Sequence, residues 1–525
     1  MSSCTTDLPA RRHEAAGADR IVRCFVERPP SLYAMFERSL HRRGDAGMLV
    51  CEGRRWNWRE AAAEVERHAA ALHAGGVARG DRVALFMGNR PEFVWTLLAL
   101  ARLGAIAVPI GIREQRPGLA YMLGQCGARG IVFDPELADR VPQAAEVASL
   151  VLRMDAGFAA ASSTDSGPPP VADVAEHDVA AILYTSGTTG SPKGAMLTHF
   201  NLAHSVLHFE HGMGLAEGDR SLLAVPASHV TGLVANLATM LHVGGTTVVM
   251  PAFKAADFVA LVQRERTTHT LMVPAMYALC LLQPGFAQAD LSAWRVGGYG
   301  GAPMPVATID ALAAVLPGLV LQNAYGATET TSPATLMPAG LTRAHADSVG
   351  RALPCAQVRV MDDAGRELAP GEQGELWIGG PMVVPGYWDN PGATATAFTA
   401  GFWHSGDIGS VDAQGFVRIF DRKKDMLNRG GFKVYSVEVE NVLMAFEGVV
   451  EAATVGRPCP VLGERVHAFV HAPGIVADDE RLLRHCREGL ADYKVPESVT
   501  WSADPLPRNA NGKVLKRLLR ELLEN

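Results

Sequence analysis

From residue 80 onward, short apolar runs alternate with longer amphipathic stretches. Arg82–Gly88 (RVALFMG) reads as a strand, Pro91–Ala105 as a helix and Ile106–Gly111 as a second strand. Gln115–Ala128 then reads as a helix and Gly130–Asp134 as a strand. Apolar runs of strand length between helical stretches predict parallel α/β layers. The pattern returns at Ser221–Val225, Thr246–Met250 and Thr270–Pro274, after a polar Pro/Ser-rich connector over Gly157–Asp178. From about residue 356 short strands and turns take over, predicting a β-rich subdomain that closes the large part. The tail after residue 425 reads strand, helix, strands, helix. The predicted fold class is therefore α/β: a large N-terminal domain (1–421), a hinge (422–425) and a small mobile α+β domain (426–525). The most membrane-like stretch, Phe93–Ile112, contains Arg102 and Pro109. It reads better as a helix, a turn at Gly104 and a buried strand than as a membrane span.

Composition narrows the class. In 525 residues, hydrophobic side chains make up 48% and charged ones 20%, as in ordinary globular proteins. The net charge is −7, and the segment from Asp421 onward balances 16 basic against 16 acidic residues. Neither part carries the basic footprint of a nucleic-acid binder. The eight cysteines lie far apart with no CxxC pair, which excludes a zinc cluster and a secreted disulfide framework. The first twenty residues lack an apolar signal core, so a cytoplasmic location is expected. Only eight of the 48 basic residues are lysines, and six of those follow residue 420. Scarce lysine could mark sites that need a compact, flexible ammonium, or could be compositional bias. Lys516 reads as a solvated tail lysine.

The densest chemical signal is Tyr184-Thr-Ser-Gly-Thr-Thr-Gly-Ser-Pro-Lys-Gly194, directly after the apolar Ala180–Leu183. Glycines and hydroxyl residues around one lysine make a loop whose N–H groups can face an anion. Gly194 follows Lys193 where a Walker A loop has Ser or Thr, so a kinase or ATPase of that class is disfavoured. Further runs follow in order: Tyr325-Gly-Ala-Thr-Glu-Thr330, Gly374-Glu-Leu-Trp-Ile-Gly379, Gly386-Tyr-Trp388 and Trp403-His-Ser-Gly-Asp407. Asp421-Arg-Lys-Lys-Asp425, Gly430-Gly-Phe-Lys433 and Pro507-Arg-Asn-Ala-Asn-Gly-Lys513 complete the series. In this order and spacing the chain resembles the adenylate-forming superfamily of acyl-CoA synthetases, luciferases and nonribosomal-peptide adenylation domains. The resemblance covers roughly residues 180–515.

The resemblance implies an ATP-dependent acid–CoA ligase that makes an acyl-adenylate with Mg²⁺ and then a CoA thioester. Thr185, Ser186, Gly187, Thr188, Thr189, Gly190 and Lys193 would cradle the β- and γ-phosphates of ATP. Tyr325 would stack on adenine beside Gly300, Gly301, Ala302 and Pro303. Thr328 would hold the α-phosphate, Glu329 would bind Mg²⁺, and Asp407 with Arg422 would hold the ribose hydroxyls. Lys513 would bridge carboxylate and α-phosphate in the first step, a role an electrostatic stabiliser suits because two anions must meet. Lys424 would be the pivot that withdraws Lys513 and brings Gly430, Gly431 and Lys433 to the acyl-adenylate for CoA attack. The run Pro507 to Lys513 also resembles an acetylation motif of this family, and loss of the Lys513 charge would block the first step.

The acyl pocket is expected at His229, Val230, Gly298, Gly300, Ala324 and Ala327, small or apolar positions that imply a roomy, uncharged channel. His229 either gates that pocket or is a satisfied buried histidine. Residues 226–236 lack an aspartate for a substrate amine, which disfavours a free α-amino acid. Fatty, branched alicyclic and aryl acids all suit such a channel, and a fatty or aryl acid is expected. Two alternatives stand beside the ligase: an acyl-AMP ligase that loads the phosphopantetheine of a carrier protein, and a non-catalytic nucleotide sensor.

Overall fold

The computed structural model describes residues 9–16, 20–159, 168–185, 191–508 and 514–524. The chain divides into two compact units. The first comprises 1–358, 377–404 and 414–417; the second comprises 359–376, 405–413 and 418–525.

Two sheets build the first unit. One has six strands in the order Lys193–Thr198, Val179–Thr185, Ile106–Pro109, Arg82–Phe86, Gly130–Phe133, Leu152–Asp155. All its pairings are parallel except Lys193–Thr198 against Val179–Thr185, which is an antiparallel hairpin. The other has nine strands, with a parallel centre running from Val320–Tyr325 through Val296–Tyr299, His269–Met272, Arg220–Leu223 and Thr246–Val249 to Gly47–Cys51. The predicted strands are there, shorter by a residue or more at several ends.

The Phe93–Ile112 stretch folds as the pattern predicts: helix Pro91–Leu103, a left-handed cap at Gly104, then strand Ile106–Pro109. Arg102, buried in this apolar helix, donates to Pro169 O at 2.9 and 3.1 Å and to Tyr33 OH at 2.5 Å. Those bonds offset the cost of burying a guanidinium and anchor the connector on the helix. No helix among the described residues is long and apolar enough to cross a membrane. All seven cysteines among the described residues are free and buried.

Helix His199–Met213 runs through the core with imidazoles on its inner side. His199 Nδ1 accepts from Leu32 N (3.1 Å), His204 Nε2 from Phe25 N (3.3 Å) and His208 Nε2 from Cys355 N (3.4 Å). Burial pushes the pKa values of the first two down to about 4, and that of His269 on strand His269–Met272 likewise. A histidine whose folded pKa lies below its unfolded value takes up its proton on unfolding. Its stabilising contribution is present above the unfolded value of 6.5 and is lost as pH falls toward 4. We expect unfolding free energy to drop between pH 6.5 and 4 by about 1.4 kcal/mol per pH unit for each such imidazole. Urea midpoints across this window check it, and a flat profile contradicts it.

In the second unit the tail forms a hairpin (Leu427–Arg429, Phe432–Val434), helix Ser436–Met444, strands Glu451–Cys459 and Gly463–His471, and helix Asp479–Gly489. A further strand, Ser498–Ser502, and helix Lys516–Glu524 extend the predicted order. Lys516 departs from expectation. Its ammonium pairs with Glu440 at 2.7 Å and donates to Ser436 Oγ at 2.5 Å, with its side chain only 14% exposed. The helix on which it sits is amphipathic and lays Leu519 into a small core with Ala453 and Val455, so the lysine is drawn inward rather than solvated. Arg520 donates to Asp425 (2.8 Å) and to Lys424 O (3.2 Å). Lys423 and Lys494 also serve ion pairs, so lysine scarcity does not by itself mark chemistry.

Candidate active site

Glu329 organises the corner at the end of strand Val320–Tyr325. After Tyr325 the chain makes a tight turn and a single helical turn, Thr328–Thr330. Thr330 Oγ1 accepts from Ala327 N (2.9 Å), which holds that turn shut and buries Glu329. Tyr387 OH donates to Glu329 Oε1 at 2.8 Å and Thr185 Oγ1 donates to the same oxygen at 3.4 Å. Val384 N donates to Glu329 O at 3.0 Å. Burial and the neighbouring carboxylate push the Tyr387 phenol well above its usual range, so it stays a donor.

Lys193 lies opposite Thr185 across the hairpin, with Nζ 5.3 Å from the Tyr387 ring centroid. The hairpin is fastened to the Tyr387 segment by Trp388 N to Gly194 O (2.7 Å) and Met196 N to Gly386 O (3.1 Å). Thr185, Lys193, Glu329 and Tyr387 thus share one corner. A buried carboxylate suits a hard divalent cation, and a nearby ammonium suits phosphate oxygens. Ser186, Gly187, Thr188, Thr189 and Gly190 lie outside the described residues, as does Lys513.

Tyr325 is half-buried against Ala334, Ile378 and Met382. Gly300 packs against that strand so closely that a Cβ would stand 2.3 Å from Ala324 O, which only glycine allows. Gly301, Ala302 and Pro303 follow as exposed backbone. His229 is half-buried at the start of an irregular helical run, Thr231–Ala238, and burial lowers its pKa, with Arg113 adding to the effect. The Pro226–His229 segment is held by Asn89, which accepts from Ala227 N (2.8 Å) and donates to Val225 O (2.9 Å) and Met250 O (3.1 Å).

In the second unit Arg422 Nε and Asp407 Oδ1 form an ion pair at 2.8 Å, with Asp407 buried and Arg422 partly exposed. Gly430 and Gly431 both adopt positive φ, 60° and 89°, at the tip of the hairpin that exposes Lys433. Lys424 is exposed beside them in sequence. Sequence reading gave no role to Tyr387 or Asn89. Tyr387 stands inside a quoted motif, whereas nothing around Asn89 pointed to the Pro226 segment.

Residues 36–388 match the AMP-binding enzyme family, and residues 438–513 match the AMP-binding enzyme C-terminal domain. The chain belongs to the AMP-binding enzyme family. A feruloyl-CoA synthase of Amycolatopsis sp is 40% identical over 468 residues, covering 88% of this chain and 92% of that one. A fatty acid–[acyl-carrier-protein] ligase of Streptomyces coeruleorubidus is 37% identical over 90% of this chain and 92% of its own. The o-succinylbenzoate coenzyme A synthetase of Bacillus subtilis, solved with ATP and magnesium ion, superposes with a TM-score of 0.85 at 27% identity, covering 95% and 100% of the two chains. This AMP-binding enzyme is accordingly a member of the AMP-forming acyl-CoA synthetase class.

Proposed function

We propose that this enzyme activates a fatty or aryl carboxylic acid at the corner around Glu329 and passes the acyl group to CoA. The observation that carries the reading is the buried Glu329 carboxylate, held by Tyr387 and flanked by Thr185 and Lys193. Such a carboxylate fits Mg²⁺, which commonly takes one or two protein carboxylates and completes its shell with phosphate oxygens and water. Bound there, the ion would neutralise charge on the departing pyrophosphate.

Lys193 and the hydroxyl-rich loop after Thr185 bind the β- and γ-phosphates, Thr328 the α-phosphate, and Tyr325 the adenine. Asp407 and Arg422 bind the ribose, with Asp407 accepting from the diol. Lys513 neutralises the meeting of carboxylate and α-phosphate. The carboxylate oxygen forms a bond to the α-phosphorus, and the bond to pyrophosphate breaks. The CoA sulfur then attacks the acyl carbon and AMP leaves. His229 and Val230 line the acyl pocket with Gly298, Gly300, Ala324 and Ala327. We place the domains at 1–421 and 426–525 with the pivot at Lys424, and the enzyme in the cytoplasm.

Proline at 424 fixes φ near −65° and restricts Lys423 as well. Lys424→Pro is expected to keep adenylation near the wild-type rate while thioester formation falls steeply, measured as separate half-reactions. Wild-type rates for both contradict a pivot at this residue.

The carrier-protein ligase among the relatives favours a second reading, in which a phosphopantetheinyl carrier takes the acyl group. Pyrophosphate release with a panel of acids, run with CoA and with a holo-carrier protein, separates the two. Acid-dependent turnover to acyl-CoA supports the first, and turnover only with the carrier supports the second. No acid-dependent pyrophosphate with either acceptor contradicts both.

A further inference from the structure

Gly298 lies mid-strand in Val296–Tyr299, in register with Leu271 on one side and Gln322 on the other. A Cβ on Gly298 would stand 2.9 Å from Met213 Cε and 3.0 Å from Leu271 Cγ. The space that the glycine leaves is therefore filled, and its filler is the terminal methyl of Met213. That residue ends helix His199–Met213 and is 4% exposed.

The helix end is fastened in place. Gln322 Nε2 donates to Gly212 O and to Met337 O, each at 3.0 Å. Gly212 itself faces Leu336, whose Cδ2 stands 2.5 Å from where a Cβ would be. Under Gly298 the strand is tied by Tyr277 OH, which donates to Gly298 O at 2.7 Å. Two residues along the same face, Gly300 and Ala324 carry almost no side chain. At about 3.3 Å per residue they lie roughly 7 Å nearer the Tyr325–Glu329 corner than Gly298 does. The Met213 methyl thus stands against the face that Gly298 shares with Gly300 and Ala324.

We propose that Met213 is the far wall of the acyl pocket and sets the length of acid the enzyme accepts, favouring aryl and medium-chain acids over long straight-chain ones. The inference rests on the reading of Gly298, Gly300 and Ala324 as acyl-pocket lining. Methionine suits such a wall, because its thioether is unbranched and makes favourable contacts with aromatic ring edges. Leu271 is branched and set in a central strand, so Met213 is the adjustable part of the wall.

The test is kcat/KM for straight-chain acids from butanoic to palmitic and for cinnamic acids, with wild type, Met213→Ala, Met213→Phe and Gly298→Ala. Met213→Ala is expected to raise the ratio of palmitic to octanoic acid by at least roughly tenfold, the least that fit at one methylene is worth in an apolar pocket. Met213→Phe is expected to lower that ratio while butanoic acid is still used. Length profiles unchanged in both Met213 variants, whatever their overall rates, overturn the inference. If Gly298→Ala alone then shifts the profile, the pocket reading stands and the wall lies elsewhere. If Gly298→Ala is also without effect on the profile, the pocket reading falls too.

Discussion

Lys513→Ala is expected to lower acid-dependent pyrophosphate release by about 10²–10³, the usual loss when one preorganised electrostatic stabiliser is removed. Thioester formation from supplied acyl-adenylate is expected to stay near wild type. The asymmetry follows from the reaction: only the first step brings a carboxylate against the α-phosphate, and only that step needs a cation between them. Lys513 lies outside the described residues, but the chain on either side of it is closely held. Arg508 bridges Val514, and Leu515 N donates to Pro507 O at 2.8 Å. Glu451 accepts from Leu506 N (2.8 Å) and from Arg508 Nη2 (2.7 Å). Equal loss of both half-reactions would contradict the assignment, because it would indicate a shared role or a folding defect.

Glu329→Gln is expected to reduce adenylation by roughly 10² and to raise the Mg²⁺ concentration needed for half-maximal rate. The amide has nearly the shape of the carboxylate, and its oxygen can still accept from Tyr387 OH. Packing at the buried corner is therefore kept while the negative charge is lost. Tyr387→Phe removes only the donor and should act in the same direction with a smaller effect. Mg²⁺ titration of pyrophosphate release distinguishes these from a general loss of structure. An unchanged Mg²⁺ dependence in Glu329→Gln would mean that the metal is held elsewhere.

Much of this architecture was legible because buried parallel strands read as apolar runs whatever they pair with. The helix–turn–strand at 91–109 is the clearest case: Gly104 marks the cap, and the apolar faces leave no alternative period. Arg102 in the same helix was readable as an argument against a membrane span, though not as the clamp on Pro169 that it is. The motif residues of the Glu329 corner were likewise legible as residue types in order. What joins them was not. Tyr387 reaches Glu329 across 58 positions of chain, and Asn89 reaches Ala227 across 138. Such contacts belong to tertiary packing and leave no local pattern. Lys516 shows the converse error, since a charged residue near a chain end looks solvated until its amphipathic helix is laid on a core. Met213 was invisible for a related reason: a glycine signals vacant space, and only the fold shows which side chain has filled it.

If the corner around Glu329 does the chemistry proposed for it, an acyl-adenylate forms there as a discrete intermediate on the way to acyl-CoA. The most direct measurement is a quench experiment with enzyme in molar excess over an accepted acid, with ATP and Mg²⁺ and with CoA withheld and then added. Acyl-AMP and pyrophosphate are expected in equal amounts before CoA is added, followed by conversion of the acyl-AMP to acyl-CoA with release of AMP. Formation of ADP and phosphate, or acyl-CoA appearing with no acid-dependent pyrophosphate beforehand, would contradict it.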